Sequence, residues 1–172
     1  MNSTKLRLIN RLRWYQPLEY FNGFLFSAIA LYVLYVYPFQ LIYSLCFGLM
    51  VMVFLLFQGA FYWKLKLQSL KGERIDHPKQ LAKFRSWKKI SEYLLLSQLL
   101  FLLPYLYAVD WTLELKGVYS WTLAANLMAL LEYINYYHRQ LMIDNFHDAK
   151  YLLTNRKLKV SSLKKDMMEG KI

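Results

Sequence analysis

Between Glu19 and Lys64 the chain carries no charged residue for 44 positions. A helix needs about 20 apolar residues to cross the hydrocarbon core of a bilayer, so a run of this length fits two crossings and a turn. The turn falls at Tyr37-Pro38-Phe39. Pro38 lacks an amide hydrogen and disfavours helix at the residue before it. This divides the run into a first span over about 18–37 and a second over about 39–63. A third uncharged run covers Tyr93 to Val109, with Pro104 near its outer end, where a kink is tolerated. A fourth begins at Gly117 and reaches Leu131, and its helix is expected to continue to Tyr137. The remaining segments are a basic loop over 64–92 and a tail over 138–172. The predicted fold is all-α: one polytopic domain over 1–172, a four-helix antiparallel transmembrane bundle with short outer loops and cytoplasmic helical extensions.

Composition supports a protein solvated by lipid, with 57% hydrophobic and 18% aromatic residues. The formal net charge of +11 invites a nucleic-acid reading, which the placement of the charges opposes. Four basic residues precede the first span, nine lie between Lys64 and Glu92, and eight follow Tyr137, which puts 21 of 22 on one side. The positive-inside rule assigns that side, with both termini, to the cytoplasm, and an even number of spans requires the same. The expected location is the plasma (inner) membrane or an equivalent internal membrane. A cleavable leader over Lys5 to Ala30 is disfavoured, because the apolar run continues past Ala28-Ile29-Ala30 while Glu19 and Asn22 interrupt the segment before it. Cys46 falls mid-span and reads as a small apolar side chain.

Shorter signals refine this outline. "KLRLINRLRWY" places Leu6, Ile9, Leu12 and Tyr15 near helical spacing among basic residues, which suits either a helix flat on the interface or a basic tether. Trp14, Tyr15, Tyr62, Trp63 and Trp87 are expected at an inner aromatic belt, and Tyr35, Tyr37, Tyr105, Tyr107, Trp111 and Trp121 at an outer one. Gly72 reads as a helix stop, Asp76 before His77-Pro78 as a helix start, and "SSLKKDMMEG" as a short capped helix. Small residues four apart mark candidate packing faces at Gly23/Ser27, Ser44/Gly48, Ser120/Ala124 and Ala125/Ala129. Lys79, Lys83, Lys88 and Lys89 form a candidate contact for anionic headgroups.

One pattern occurs twice. "LEYFN" at 18–22 and "LEYIN" at 131–135 each place Glu and Asn three residues apart on one helix face, at the border between apolar and charged sequence. In the antiparallel arrangement both lie at the cytoplasmic depth, so Glu19, Asn22, Glu132 and Asn135 are expected to converge. Arg139 is a candidate partner and Glu92 lies at a similar level. Interhelical hydrogen bonding is favoured over a functional pocket, because hydration is cheap at the interface. Asp144, His147 and Asp148 have helical spacing compatible with a divalent metal, although a polar surface face is the commoner meaning of such a triplet.

No phosphate loop, CxxC, HExxH or nucleophile-elbow motif is present, and no motif indicates a cofactor. The balance leans away from an enzyme. The favoured role is a small membrane accessory or interaction protein with a basic, lipid-facing cytoplasmic side, self-associating or docked on a larger membrane complex. Its partners would be anionic lipids of the cytoplasmic leaflet and a further copy or another subunit, not nucleic acid. A small transporter or channel using the Glu/Asn pocket is the alternative. A membrane enzyme acting on lipid headgroups is the third reading.

Overall fold

The computed structural model describes residues 3–108, 117–143 and 146–172. Its six helices run α1 (Ser3–Val36), α2 (Phe39–Lys71), α3 (His77–Ala108), α4 (Val118–Tyr137), α5 (Phe146–Asn155) and α6 (Ser162–Glu169). Three of them, α1, α2 and α3, are long and apolar enough to cross a membrane. At 1.5 Å per residue, helices of 34, 33 and 32 residues reach roughly 50 Å, well beyond a hydrocarbon core of about 30 Å. The surplus lies at the basic ends. α4 is shorter, with 20 residues that include four tyrosines, two asparagines and one glutamate, and it is not among the helices with a stretch apolar enough to count as a candidate span.

Local chemistry sets the boundaries. α1 runs through Pro17 and ends before Pro38, whose φ of −62° and ψ of 136° begin α2 from an extended residue. α2 stops at Gly72, whose φ of 85° is the left-handed conformation that a residue without Cβ adopts most cheaply. Asp76 Oδ1 accepts the Lys79 amide at 3.0 Å and starts α3. α3 then continues without a break through Pro104. Ser161 caps α6 through the Lys164 amide, and Gly170 ends it at a φ of 71°.

α2 is the axis. Ile42, Val51, Met52, Leu55, Leu56 and Tyr62 are all buried, and α1, α3 and α4 each pack against α2. Small residues set the close approaches. A Cβ on Gly48 would lie 2.9 Å from Asn126 Nδ2 and 3.1 Å from the Asn126 backbone nitrogen, so Gly48 lets α4 lie against α2. Gly23 faces the Phe57 ring in the same way between α1 and α2. Ser44/Gly48 and Ala125/Ala129 therefore serve as packing faces, whereas Ala124 is exposed.

The basic stem of α1 neither lies apart as an interface helix nor hangs as a tether. Ile9 and Leu12 bury against Leu67, Leu70 and Trp63, so apolar contact holds the stem to α2. Two of the expected belt aromatics also belong to the interior. Tyr62 is fully buried beside Phe84, and Tyr105 packs between Tyr43 and Tyr119. Trp14, Tyr35, Tyr107 and Trp121 are exposed. Trp111 lies outside the described residues.

The end of the chain folds back on the stems. Leu163 joins the main core, and Ser161 Oγ donates to the Tyr136 carbonyl at 2.6 Å. Asp166, which is buried, accepts the Tyr62 hydroxyl at 2.7 Å and both carboxylate oxygens meet Lys66 Nζ at 2.8 and 2.7 Å. Ser69 Oγ donates to the Ile172 carbonyl at 2.7 Å. α6 thus caps the same end of the molecule that carries the stems.

Candidate functional site

The two pentapeptides meet through their glutamates. α1 and α4 both lie on α2, and where they flank Gly59 and Trp63 the Glu19 carboxyl group faces the Glu132 carboxyl, the Tyr136 hydroxyl and the Trp63 indole. Gly59 makes this possible. The Tyr136 hydroxyl occupies the space a Cβ there would fill. Tyr136 is only 4% exposed, and its hydroxyl approaches Glu19 without completing a hydrogen bond.

Glu19, Trp63 and Tyr136 open into a cleft of about 130 Å³, whereas Glu132 lies outside its lining. Arg11, Tyr15 and Glu19 line it from α1, Trp63 from α2, and Asn135 and Tyr136 from α4, with Ser161 to Leu163 closing the far side. Tyr15 and Trp63 stack at 6.4 Å between centroids. The Arg11 guanidinium sits 4.9 Å over the Tyr15 ring, so this wall already receives a cation on its π face. Acceptor oxygens and aromatic faces in a half-buried cleft are suited to holding positive charge.

The asparagines do not pair across the helices. Asn135 Nδ2 donates to Glu132 of its own helix at 3.2 Å, and its Oδ1 accepts the Leu141 amide at 2.9 Å, closing the end of α4. Asn22 makes no hydrogen bond to Glu132 or Asn135 among the described residues. Arg139 lies outside the group. The helix ends at Tyr137, and at His138 the backbone leaves it (φ −130°, ψ −70°), so a spacing of seven no longer keeps Arg139 on the face of Glu132. Arg139 instead pairs with Val160 and donates to the Leu158 carbonyl at 3.2 Å.

Glu92 belongs to a second cluster, on the side of α4 that faces α3. It accepts the Tyr133 hydroxyl at 2.6 Å and lies 3.6 Å from Lys88. His138 Nε2 contacts the same hydroxyl at 3.2 Å. Partial burial and the charges of Lys88 and Lys164 push the His138 pKa down, with Glu92 opposing them. Below this cluster Tyr137 donates to Gln58 Oε1 at 2.5 Å and Gln58 Nε2 donates to Ser91 Oγ at 3.1 Å, tying α4, α2 and α3 together.

The four candidate headgroup lysines divide. Lys79, Lys83 and Lys89 are exposed, and Lys88 is half-buried. Lys83 Nζ lies over the Phe61 and Trp87 rings at 4.2 and 4.5 Å, and Lys88 is engaged with Glu92. Asp144 and the side chains of His147 and Asp148 lie outside what the structure describes. Sequence reasoning missed Tyr136, Gly59 and Asp166. Tyr136 follows Glu132 by four residues and shares its face, and Gly59 is a small residue in an apolar span; Asp166 carries no comparable signal.

No family model, curated protein or solved structure matches this chain.

Proposed function

We propose that the chain is an integral membrane protein of four antiparallel spans with both termini in the cytoplasm, acting as a small interaction or accessory protein whose working part is its cytoplasmic end. One observation carries this reading. The stems of α1, α2 and α3, together with α6, pack through apolar contacts at the basic end into a cap that holds the cleft, while α1 and α3 present exposed apolar residues along membrane-length stretches. α4 counts as the fourth span because its 20 residues reach about 30 Å beside α2. The basic cap suits the anionic cytoplasmic leaflet of a plasma or inner membrane. The bare flanks of α1 and α3 suit lipid, a further copy or another subunit.

Purification of the full chain in mild detergent, followed by mass measurement of the intact particle, tests this directly. A self-associated particle or a stoichiometric partner is expected, and a monomer without any bound protein contradicts the interaction role. The facing carboxylates of Glu19 and Glu132 favour a second reading, a cation or proton carrier. Charge-dependent flux into liposomes that Glu19→Gln abolishes would establish it.

A further inference from the structure

The cytoplasmic cleft has the Glu19 carboxylate at one end, with Glu132 facing Glu19 from outside the lining, aromatic rings along its side and a buried phenol at its base. Opposing carboxylates are costly in a half-buried site unless a positive group lies near both. The aromatic wall offers what an organic cation needs and a hydrated inorganic ion does not, namely π faces that replace water around apolar substituents on nitrogen. Tyr136 adds an independent pointer. Its side chain is 4% exposed, lines the cleft and has a hydroxyl without a hydrogen-bond partner, although a buried hydroxyl ordinarily finds one. A cleft of about 130 Å³ has room for a small alkylammonium. The cleft also lies where the chain leaves the apolar region, at the level of lipid headgroups.

From these observations we propose that the cleft lined by Tyr15, Glu19, Trp63 and Tyr136 binds an organic ammonium group, as carried by an aminated lipid headgroup or a small free amine. Glu19 supplies the counter-charge inside the cleft, and Glu132 adds its field from behind Glu19. Trp63 covers the alkyl face beside the Tyr15 ring, which already carries Arg11, and the Tyr136 hydroxyl is placed to accept from an N–H or to dipole-pair with the cation. The inference rests on the reading that the cytoplasmic end is the working part of the molecule.

The full chain in detergent is titrated with ethanolammonium, tetramethylammonium and potassium chlorides at matched ionic strength, with tryptophan fluorescence as readout. In parallel, the chain is placed in nanodiscs of phosphatidylglycerol with and without phosphatidylethanolamine. Saturable binding of the organic cations, without saturation by potassium, is expected. Preference for the ethanolamine-containing discs over the free amines marks a headgroup as the source, and the reverse marks a soluble amine. Glu19→Gln should weaken binding about tenfold and Trp63→Phe by a smaller factor, while Glu92→Gln, outside the cleft, should leave it unchanged. Retained resistance of the Lys164–Lys165 region to trypsin shows that each variant is folded. No saturation in either arm, equal saturation by potassium, or a folded Glu19→Gln protein with unaltered affinity overturns the proposal. Retention of a stoichiometric partner by a protein that binds no amine would leave the interaction role standing, and amine binding by a partnerless monomer would remove that role alone.

Discussion

Asp166 is the side chain that most firmly fixes the tail. It is buried with the Tyr62 hydroxyl and the Lys66 ammonium as its partners, and Lys66 keeps some contact with solvent. Asp166→Ala would strand both donors, at a cost of about 2 kcal/mol once solvent access to Lys66 is allowed for. The expected outcome is a lower denaturation midpoint and faster trypsin cleavage at Lys164 and Lys165; unchanged cleavage would mean that α6 is held by Leu163 and Ile172 alone. His138 carries a pH signature. Its folded pKa lies below the ordinary value near 6.5, so the unfolded chain takes up a proton first as pH falls. The stability it contributes is present above about 6.5 and is lost as pH falls from there through the lower folded value. Thermal denaturation should therefore show a smaller drop between pH 7.5 and 5.5 for His138→Asn than for the unaltered chain, and an equal drop in both would remove this role.

At the scale of elements, α2 organises the fold through its glycines. Gly59→Ala places a methyl group where the Tyr136 hydroxyl lies, so α4 must shift or Tyr136 must rotate, with an overpacking cost of about 1–3 kcal/mol. The pairing Gly59→Ala with Tyr136→Phe should be less damaging than the sum of the two, and strict additivity in denaturation would separate the two positions. Much of this level was readable in advance. The uncharged run and Pro38 delimit α1 and α2, Gly72 and Asp76 bound the next connection, and Ser161 and Gly170 bound α6, because caps and breakers act locally. The length of α1 was not readable, since Pro17 and the basic stem look like boundaries until Ile9 and Leu12 find Leu67. Arg139 misleads for a related reason. Helical spacing carries no meaning past the residue where the helix ends, and nothing in "YYHRQ" marks that end.

For the whole molecule, the sequence made the convergence of the two pentapeptides foreseeable but not its form. Shared depth is what antiparallel spans lead one to expect, and the Glu19 carboxyl group faces that of Glu132. Their meeting ground is a third helix, α2, and a tyrosine outside both repeats, Tyr136, joins them against Gly59. Which helices neighbour one another depends on long-range packing, which repeats and periodicity do not encode. The orientation in the membrane has its own check. Single cysteines at Lys71 and Glu114, in a chain with Cys46→Ser, should label from opposite faces of sealed vesicles, and labelling from one face would contradict four spans. Replacing Lys79 and Lys89 with Gln should weaken a preference for anionic vesicles, and added salt should do the same; replacing Lys83, whose ammonium rests on two rings, should cost stability instead. The central claim is that Glu19 and Glu132 come together at the cytoplasmic face. The most direct measurement is crosslinking of a Glu19→Cys/Glu132→Cys protein by a short, membrane-impermeant dithiol-reactive reagent, with Phe24→Cys/Phe57→Cys as the packed α1–α2 reference. The account predicts a 19–132 crosslink in inside-out vesicles and none in right-side-out cells. Absence of that crosslink while the reference pair reacts with a permeant reagent would contradict it.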